Sequence, residues 1–168
     1  MARAAAVAAA VVLALVTTLT NGCSGERGTG EPAPQPPPAN LAFIDVEATR
    51  AVSEQIAPAV ARFFSYDHRR LDEHLAQTMA DTTPRYWTAV EPSLRVVRDV
   101  APAKQVVASA EVVATSVRGL QPSRAELLLF VDRSTTERGG EPQREASSVV
   151  VTAVRTGPHW KIDGMSVS

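Results

Sequence analysis

Sulfur is scarce in this 168-residue chain, whose one cysteine is Cys23. A lone thiol excludes an internal disulfide framework and any zinc or iron–sulfur site built from several cysteines. Lysine is nearly missing too, with two residues against fifteen arginines, and the formal net charge is -1. Near-neutrality excludes a broad phosphate-tracking surface, so nucleic acid is not an expected partner. Aromatic residues make up only 5%. The sequence holds no G-x-S-x-G elbow, no H-E-x-x-H and no phosphate loop. Gly139-Gly140 is not followed by a helix carrying Lys or Ser, so it reads as a hinge rather than a phosphate cradle. Of three histidines, His68 and His74 are six apart and fall on different faces of a helix. Metal ligands on one helix want i,i+4 spacing, so both read as solvated or helix-end histidines.

What is present divides the chain into three. Met1-Ala2-Arg3 precedes an uncharged, mostly apolar run from Ala4 to Thr20. That is the pattern of an export signal, and also the short end of a membrane-spanning helix. Leu19-Thr20-Asn21-Gly22-Cys23 is similar to a bacterial lipobox, although Thr20 stands where leucine is usual. Two anchors stay open: a cleaved chain lipidated on Cys23, or an uncleaved span with Cys23 as a free thiol. Residues 1–23 are therefore expected to tether the remainder on the extracytoplasmic side of the cell membrane. Residues 24–40, SGERGTGEPAPQPPPAN, contain five prolines and no large apolar side chain. Nothing there can offset ordering entropy, so a disordered tether is expected.

Residues 41–168 are expected to form one α+β domain. Asp45 can cap a first helix, with Val52, Ile56, Val60, Phe63 and Phe64 at helical spacing and Pro58 expected to kink it. Leu71, Leu75 and Met79 mark the inner face of a second. Thr83-Pro84 starts a third, with Tyr86, Val90, Leu94 and Val97 inward, a kink at Pro92 and an end at 99–102. From Lys104 the period becomes two. Val106, Ala108, Ala110, Val112 and Ala114 share one face of the first long strand, opposite Ser109, Glu111 and Thr115. Residues 124–133 form a central strand, 134–145 a mobile loop, and 147–155 a third strand. The last begins at Trp160 and Ile162 and changes phase at a bulge near Gly164. Three helices on a curved antiparallel sheet of about four strands make a cone, an NTF2-like arrangement by fold analogy. Its cavity is expected to be lined by small and aliphatic residues such as Val106, Ala110, Val112 and Leu129, suited to an apolar ligand.

Tyr66 and Asp67 are the residues closest to an acid–base pair. As neighbours in a helix they diverge by about 100°, so they read as a packing residue and a cap for the second helix rather than a catalytic dyad. Trp87 and Trp160 read as core or rim residues. No cofactor is expected.

An ordered set of short motifs carries a family resemblance. Phe64-Ser65-Tyr66-Asp67 followed by Leu71-Asp72 is the densest. Asn40, Ala42, Phe43, Asp45, Thr49 and Val52 precede it. Tyr86, Ala101, Lys104, Val117, Arg124-Ala125, the stretch from Leu128 to Asp132, Gly157 and Trp160 follow. Across about 40–165 the chain resembles the Mce-associated proteins of actinobacteria, small anchored envelope proteins that accompany mammalian-cell-entry (Mce) lipid importers. The turn Asp81-Thr82-Thr83-Pro84, the prolines at 58 and 92, and the Pro-rich tether depart from the family pattern. The resemblance implies an NTF2-like, VirB8-like domain without catalytic activity. It further implies an accessory role with Mce and permease subunits of a lipid or sterol importer, and picks out Ser65, Tyr66, Asp67, Leu71 and Trp160 as motif residues.

Overall fold

The computed structural model describes residues 40–168. The apolar segment, the cysteine at 23 and the tether as far as residue 39 lie outside the described residues.

The described chain opens with a single 3-10 turn, Leu41–Phe43, whose N-cap is Asn40. Helix α1 runs Val46–Phe64, capped by Asp45, whose carboxylate accepts from the Ala48 amide at 2.8 Å. Val52, Ile56 and Val60 are fully buried on its inner face, as their spacing predicts. Pro58 does not interrupt it. Pro58 is exposed and so is Glu54, so the Glu54 carbonyl freed by the missing N–H is open to water. A two-residue strand, β1 (Tyr66–Asp67), follows, then α2 (Leu71–Asp81) and α3 (Pro84–Lys104). Thr83 caps α3 with Pro84 at its first position, as expected. The helix continues past the expected stop at 99–102 with Pro102 inside its last turn; the residue whose carbonyl loses its partner there, Arg98, is exposed. It closes on Gln105 in the left-handed conformation, φ 50°.

The inner face of α2 differs from expectation. Leu71, His74 and Thr78 are buried, whereas Met79 is half exposed. The i,i+4 row of Leu71, Leu75 and Met79 is the more apolar one, but the row at spacings of three and then four, Leu71, His74 and Thr78, meets the core. His74 is thus a buried histidine, not a solvated one.

Strands β2 (Val107–Leu120), β3 (Arg124–Thr136), β4 (Gln143–Thr156) and β5 (His159–Val167) form an antiparallel meander. With β1 they make one curled five-stranded sheet in the order β1-β2-β3-β4-β5, one strand more than expected. The three helices lie on one side. β3 is central, and Leu127, Leu129 and Val131 are buried beneath α1 with Val149, Val151, Ala153 and Ile162. The expected loop at 134–145 shrinks to the residues between Thr136 and Gln143, because both flanking strands extend and pair out to Thr135 with Gln143.

Three register shifts change strand phase, one of them between Val117 and Gly119 near the end of β2, after which Leu120 is the buried residue. In β2 the register shifts between Val112 and Ala114. Ala110 and Val112 face the core, but Ala114 turns outward, and Thr115 and Val117 take the inner face. The expectation of Ala114 on the core face therefore fails at Val113. In β5, Gly164 pairs with Thr152 and Ile162 with Ala153, so the extra residue is Asp163, one position before the expected Gly164.

Candidate functional site

The motif at 64–67 is a junction. Ser65 ends α1. Its hydroxyl donates to the Ala61 carbonyl at 2.7 Å and accepts from the Ala110 amide of β2 at 2.9 Å. One side chain thus closes the helix and holds it on the sheet. Tyr66 pairs with Ala108 and Asp67 with Val107. In a strand, neighbouring side chains point to opposite faces, so Tyr66 and Asp67 diverge even more than helix neighbours do. Leu71 is buried with Ala101 and Val106, and ties α2 to the end of α3.

Tyr66 turns inward to a cleft of about 280 Å³. Phe63 and Phe64 of α1, Leu94 and Val97 of α3, and Ala108 of β2 form its apolar walls. His74 lines it as well, with its ring centroid 5.7 Å from that of Tyr66. Arg133 stands at one side, 5.8 Å above the Phe64 ring and ion-paired with Glu145. The expected lining is not the observed one. Leu129 is sealed under α1 and Val106 is buried with Leu71, because the helices close onto the sheet there.

His74 is the unusual group. It is 93% buried, and its Nε2 meets no hydrogen-bond partner. Burial pushes the His74 pKa down, and the Ser65 carbonyl opposes the shift only in part. The only sequence signal was position: His74 is three residues after Leu71 on the row that turns inward.

The expectation that Asp67 caps α2 fails: the N-cap is Arg70, which makes no side-chain bond. Instead the Asp67 carboxylate accepts from the Arg69 backbone N–H at 2.9 Å and from its guanidinium at 2.6 Å. Those bonds hold its carboxyl well below the usual carboxylate range. A carboxylate so held is a poor proton acceptor near neutral pH.

A second polar cluster was invisible in the sequence. Asp163, extruded by the β5 bulge and nearly buried, accepts from the Thr83 hydroxyl at 2.7 Å and from the Arg85 guanidinium at 2.6 Å. Arg85 and Thr83 hold its carboxyl below the ordinary value against the opposing effect of burial. The Thr83 amide donates to the Ile162 carbonyl at 2.9 Å. This clasp fixes the α2–α3 corner onto the last strand. Trp160 lies nearby, half buried against the core, with its backbone N–H on the Gln55 side chain.

The opposite face of the sheet carries no described helix. By alternation with the buried Leu127, Leu129 and Val131, this face holds Leu128 and Phe130. Phe130 is 47% exposed and Val113, at the β2 bulge, 54%. Ala114 and Ser148 flank Phe130, Val150 is opposite Leu128, and Glu111 is opposite Asp132. The result is an apolar strip bordered by two acids. Among the described residues, no three His, Cys, Asp or Glu side chains are grouped to hold a metal ion.

No protein-family model matches the chain. Over 120 residues it is 29% identical to Rv1362c, an uncharacterised protein of Mycobacterium tuberculosis strain H37Rv, and equally to MT1407 of strain CDC 1551. That match takes in 70% of this chain and 54% of the relatives, so the chain spans about half the length of the curated relatives it matches. Among solved structures, an IcmL-like type IV secretion system protein of Legionella pneumophila superposes with a TM-score of 0.62 at 12% identity, over 73% of this chain and 91% of that one. CagV, a VirB8 homologue of the Helicobacter pylori type IV secretion system, gives 0.59 at 16%, over 71% and 97%. A proposed aromatic ring hydroxylase of Novosphingobium aromaticivorans gives 0.53 at 11%, over 70% and 87%. At these identities the likeness establishes the fold, three helices on a curled antiparallel sheet of the VirB8-like kind. It does not by itself choose between assembly and catalysis.

Proposed function

We propose that this chain is a non-catalytic, membrane-tethered extracytoplasmic accessory protein that assembles or stabilises an Mce-type lipid or sterol import complex. The observation that carries this reading is the sheet face that no described helix covers, where Phe130 and Val113 are exposed beside Leu128 and Val150. A strip of this kind on an otherwise polar face is suited to docking another protein. Two of the solved structures with this fold are named as type IV secretion system proteins, which supports an assembly role. The Mce partner and the actinobacterial setting rest on the motif resemblance. The tether rests on the apolar segment and Cys23: lipid label on the wild type, and an unprocessed precursor for Cys23→Ala, would support the lipidated form.

Catalysis is the weaker reading because Tyr66 and Asp67 point apart and Asp67 is engaged by Arg69. The experiment is co-purification from detergent-solubilised envelope with Mce and permease subunits identified by mass spectrometry. Wild type should bring them down. Phe130→Glu and Glu111→Arg should lose them while circular dichroism and expression stay unchanged, and Asp67→Asn should retain both partners and lipid import. Retained partners in Phe130→Glu, or lost import in a folded Asp67→Asn protein, would count against the proposal.

A further inference from the structure

On the outer face of the sheet, Glu111 of β2 and Asp132 of β3 stand directly opposite each other, and both are exposed. Like charges so placed destabilise a strand pair, so these two acids work against the sheet that carries them. Further along the same face, charge is balanced within the chain: Arg118 pairs with Glu126 at 3.1 Å. Among the described residues, neither Glu111 nor Asp132 has an ion-pair partner. Arg144, the nearest outward cation on β4, is opposite Ser134, one row away from the acids. The two acids share an open groove of about 820 Å³ with Arg144 and the small residues Ser109, Ser134 and Ala146. Those small side chains leave room for a long one to lie between the carboxylates. Phe130, 47% exposed, is the next outward residue of β3 after Asp132.

We propose, resting on the docking reading above, that the protein seated on this face inserts a lysine or arginine between Glu111 and Asp132 and lays an apolar side chain on Phe130. Two residues of strand separate the acid row from Phe130 by about 7 Å. A partner helix matches that spacing with residues three or four apart, and a partner strand with residues two apart. The cation relieves the repulsion between the two acids, and the apolar contact covers the exposed ring. The same charges disfavour two other occupants. An anionic membrane surface is repelled by the acid row. A second copy centred on Phe130 sets that row against itself or against Leu128 and Val150, and neither supplies a cation.

The test titrates the immobilised full-length chain with detergent-solubilised envelope and counts bound protein by mass spectrometry. It is run at about 0.15 M and about 1 M KCl, between which the Debye length falls from ~8 to ~3 Å. Close charge pairs across an interface strengthen binding by about tenfold or more. The double variant Glu111→Gln with Asp132→Asn keeps side-chain size and removes both charges. It should need about tenfold more extract for half-saturation at the lower salt. The higher salt should weaken binding to wild type and leave the double variant unchanged. A photo-crosslinking amino acid at Ala114, opposite Phe130, should label the same protein. Equal half-saturation for wild type and double variant, or wild-type binding that ignores salt, overturns the inference; if Phe130→Glu still loses that protein, the docking reading survives. Retention by Phe130→Glu sinks both. Label on lipid, label on a second copy of the chain, or no label at Ala114 also overturns the inference. The wild-type salt response decides the matter even if the double variant does not fold.

Discussion

Removing the Asp163 carboxylate should destabilise the domain at a distance from any proposed contact. Asp163 is nearly buried and receives the Thr83 hydroxyl at 2.7 Å, a bond across 80 residues of sequence. A hydrogen bond to a charged group contributes about 1.5–3 kcal/mol. Asp163→Ala loses that bond and strands the Thr83 hydroxyl hydrogen in a buried site, so a loss of about 2–3 kcal/mol is expected. The Arg85 side chain is largely exposed and can rehydrate, so its release adds little. Asp163→Asn keeps an oxygen for Thr83 and should cost only about 1 kcal/mol. With a urea m-value of about 1–3 kcal/mol/M for a domain of this size, Asp163→Ala should lower the midpoint by about 1 M with m unchanged. The sign with pH follows from the depressed pKa. The bond's contribution is present above the unfolded value of about 4 and fades as pH falls through the folded one, and Asp163→Ala should lack that acid-side fade. Equal losses for Asn and Ala, or a midpoint shift too small to measure, would refute the clasp.

Three further outcomes are expected. His74 is held neutral, with its folded pKa below the unfolded value of about 6.5, so the unfolded chain binds more protons below that pH. Stability should fall as pH drops from 6.5 toward the folded value, and His74→Phe should flatten that slope in urea titrations at pH 7.5 and 5.5. Trp160→Ala should cost about 2 kcal/mol, less than the ~3–5 kcal/mol of a fully buried aromatic, because Trp160 is only half buried. A fragment of residues 38–168 should be about 1–2 kcal/mol more stable than one of 41–168, since Asn40 accepts from Leu120 N–H at 2.9 Å and donates to the Arg118 carbonyl at 3.0 Å. Equal stability of the two fragments would show that the fold begins at 41, where composition alone had put the end of the tether.

The first helix was legible because Val52, Ile56 and Val60 repeat on one face and Asp45 stands at its start. The meander was legible from the change to a period of two. What sequence reading missed has specific causes. The β2 bulge falls within Val112-Val113-Ala114, where every residue could face either way. Without it, Ala114 counts as core. The two-residue β1 is too short for any periodicity, so the sheet came out one strand short. In α2 the apolar row lost to a row containing His74 and Thr78, since partners on α1 and the sheet, not hydropathy, decide which face turns in. Of the candidate site, Tyr66 was identified but its cleft was not, because its lining comes from six elements spread between Phe63 and Thr135. Asp163 and Thr83 likewise meet only in the fold.

On the proposed function, the outer sheet face meets another envelope protein. A photo-crosslinking amino acid placed at Phe130, and separately at Val96 on the exposed side of α3, tests it in living cells. A crosslinked band containing an Mce or permease subunit is expected at Phe130, and none at Val96. No adduct at Phe130, or the same adduct at both positions, would contradict it.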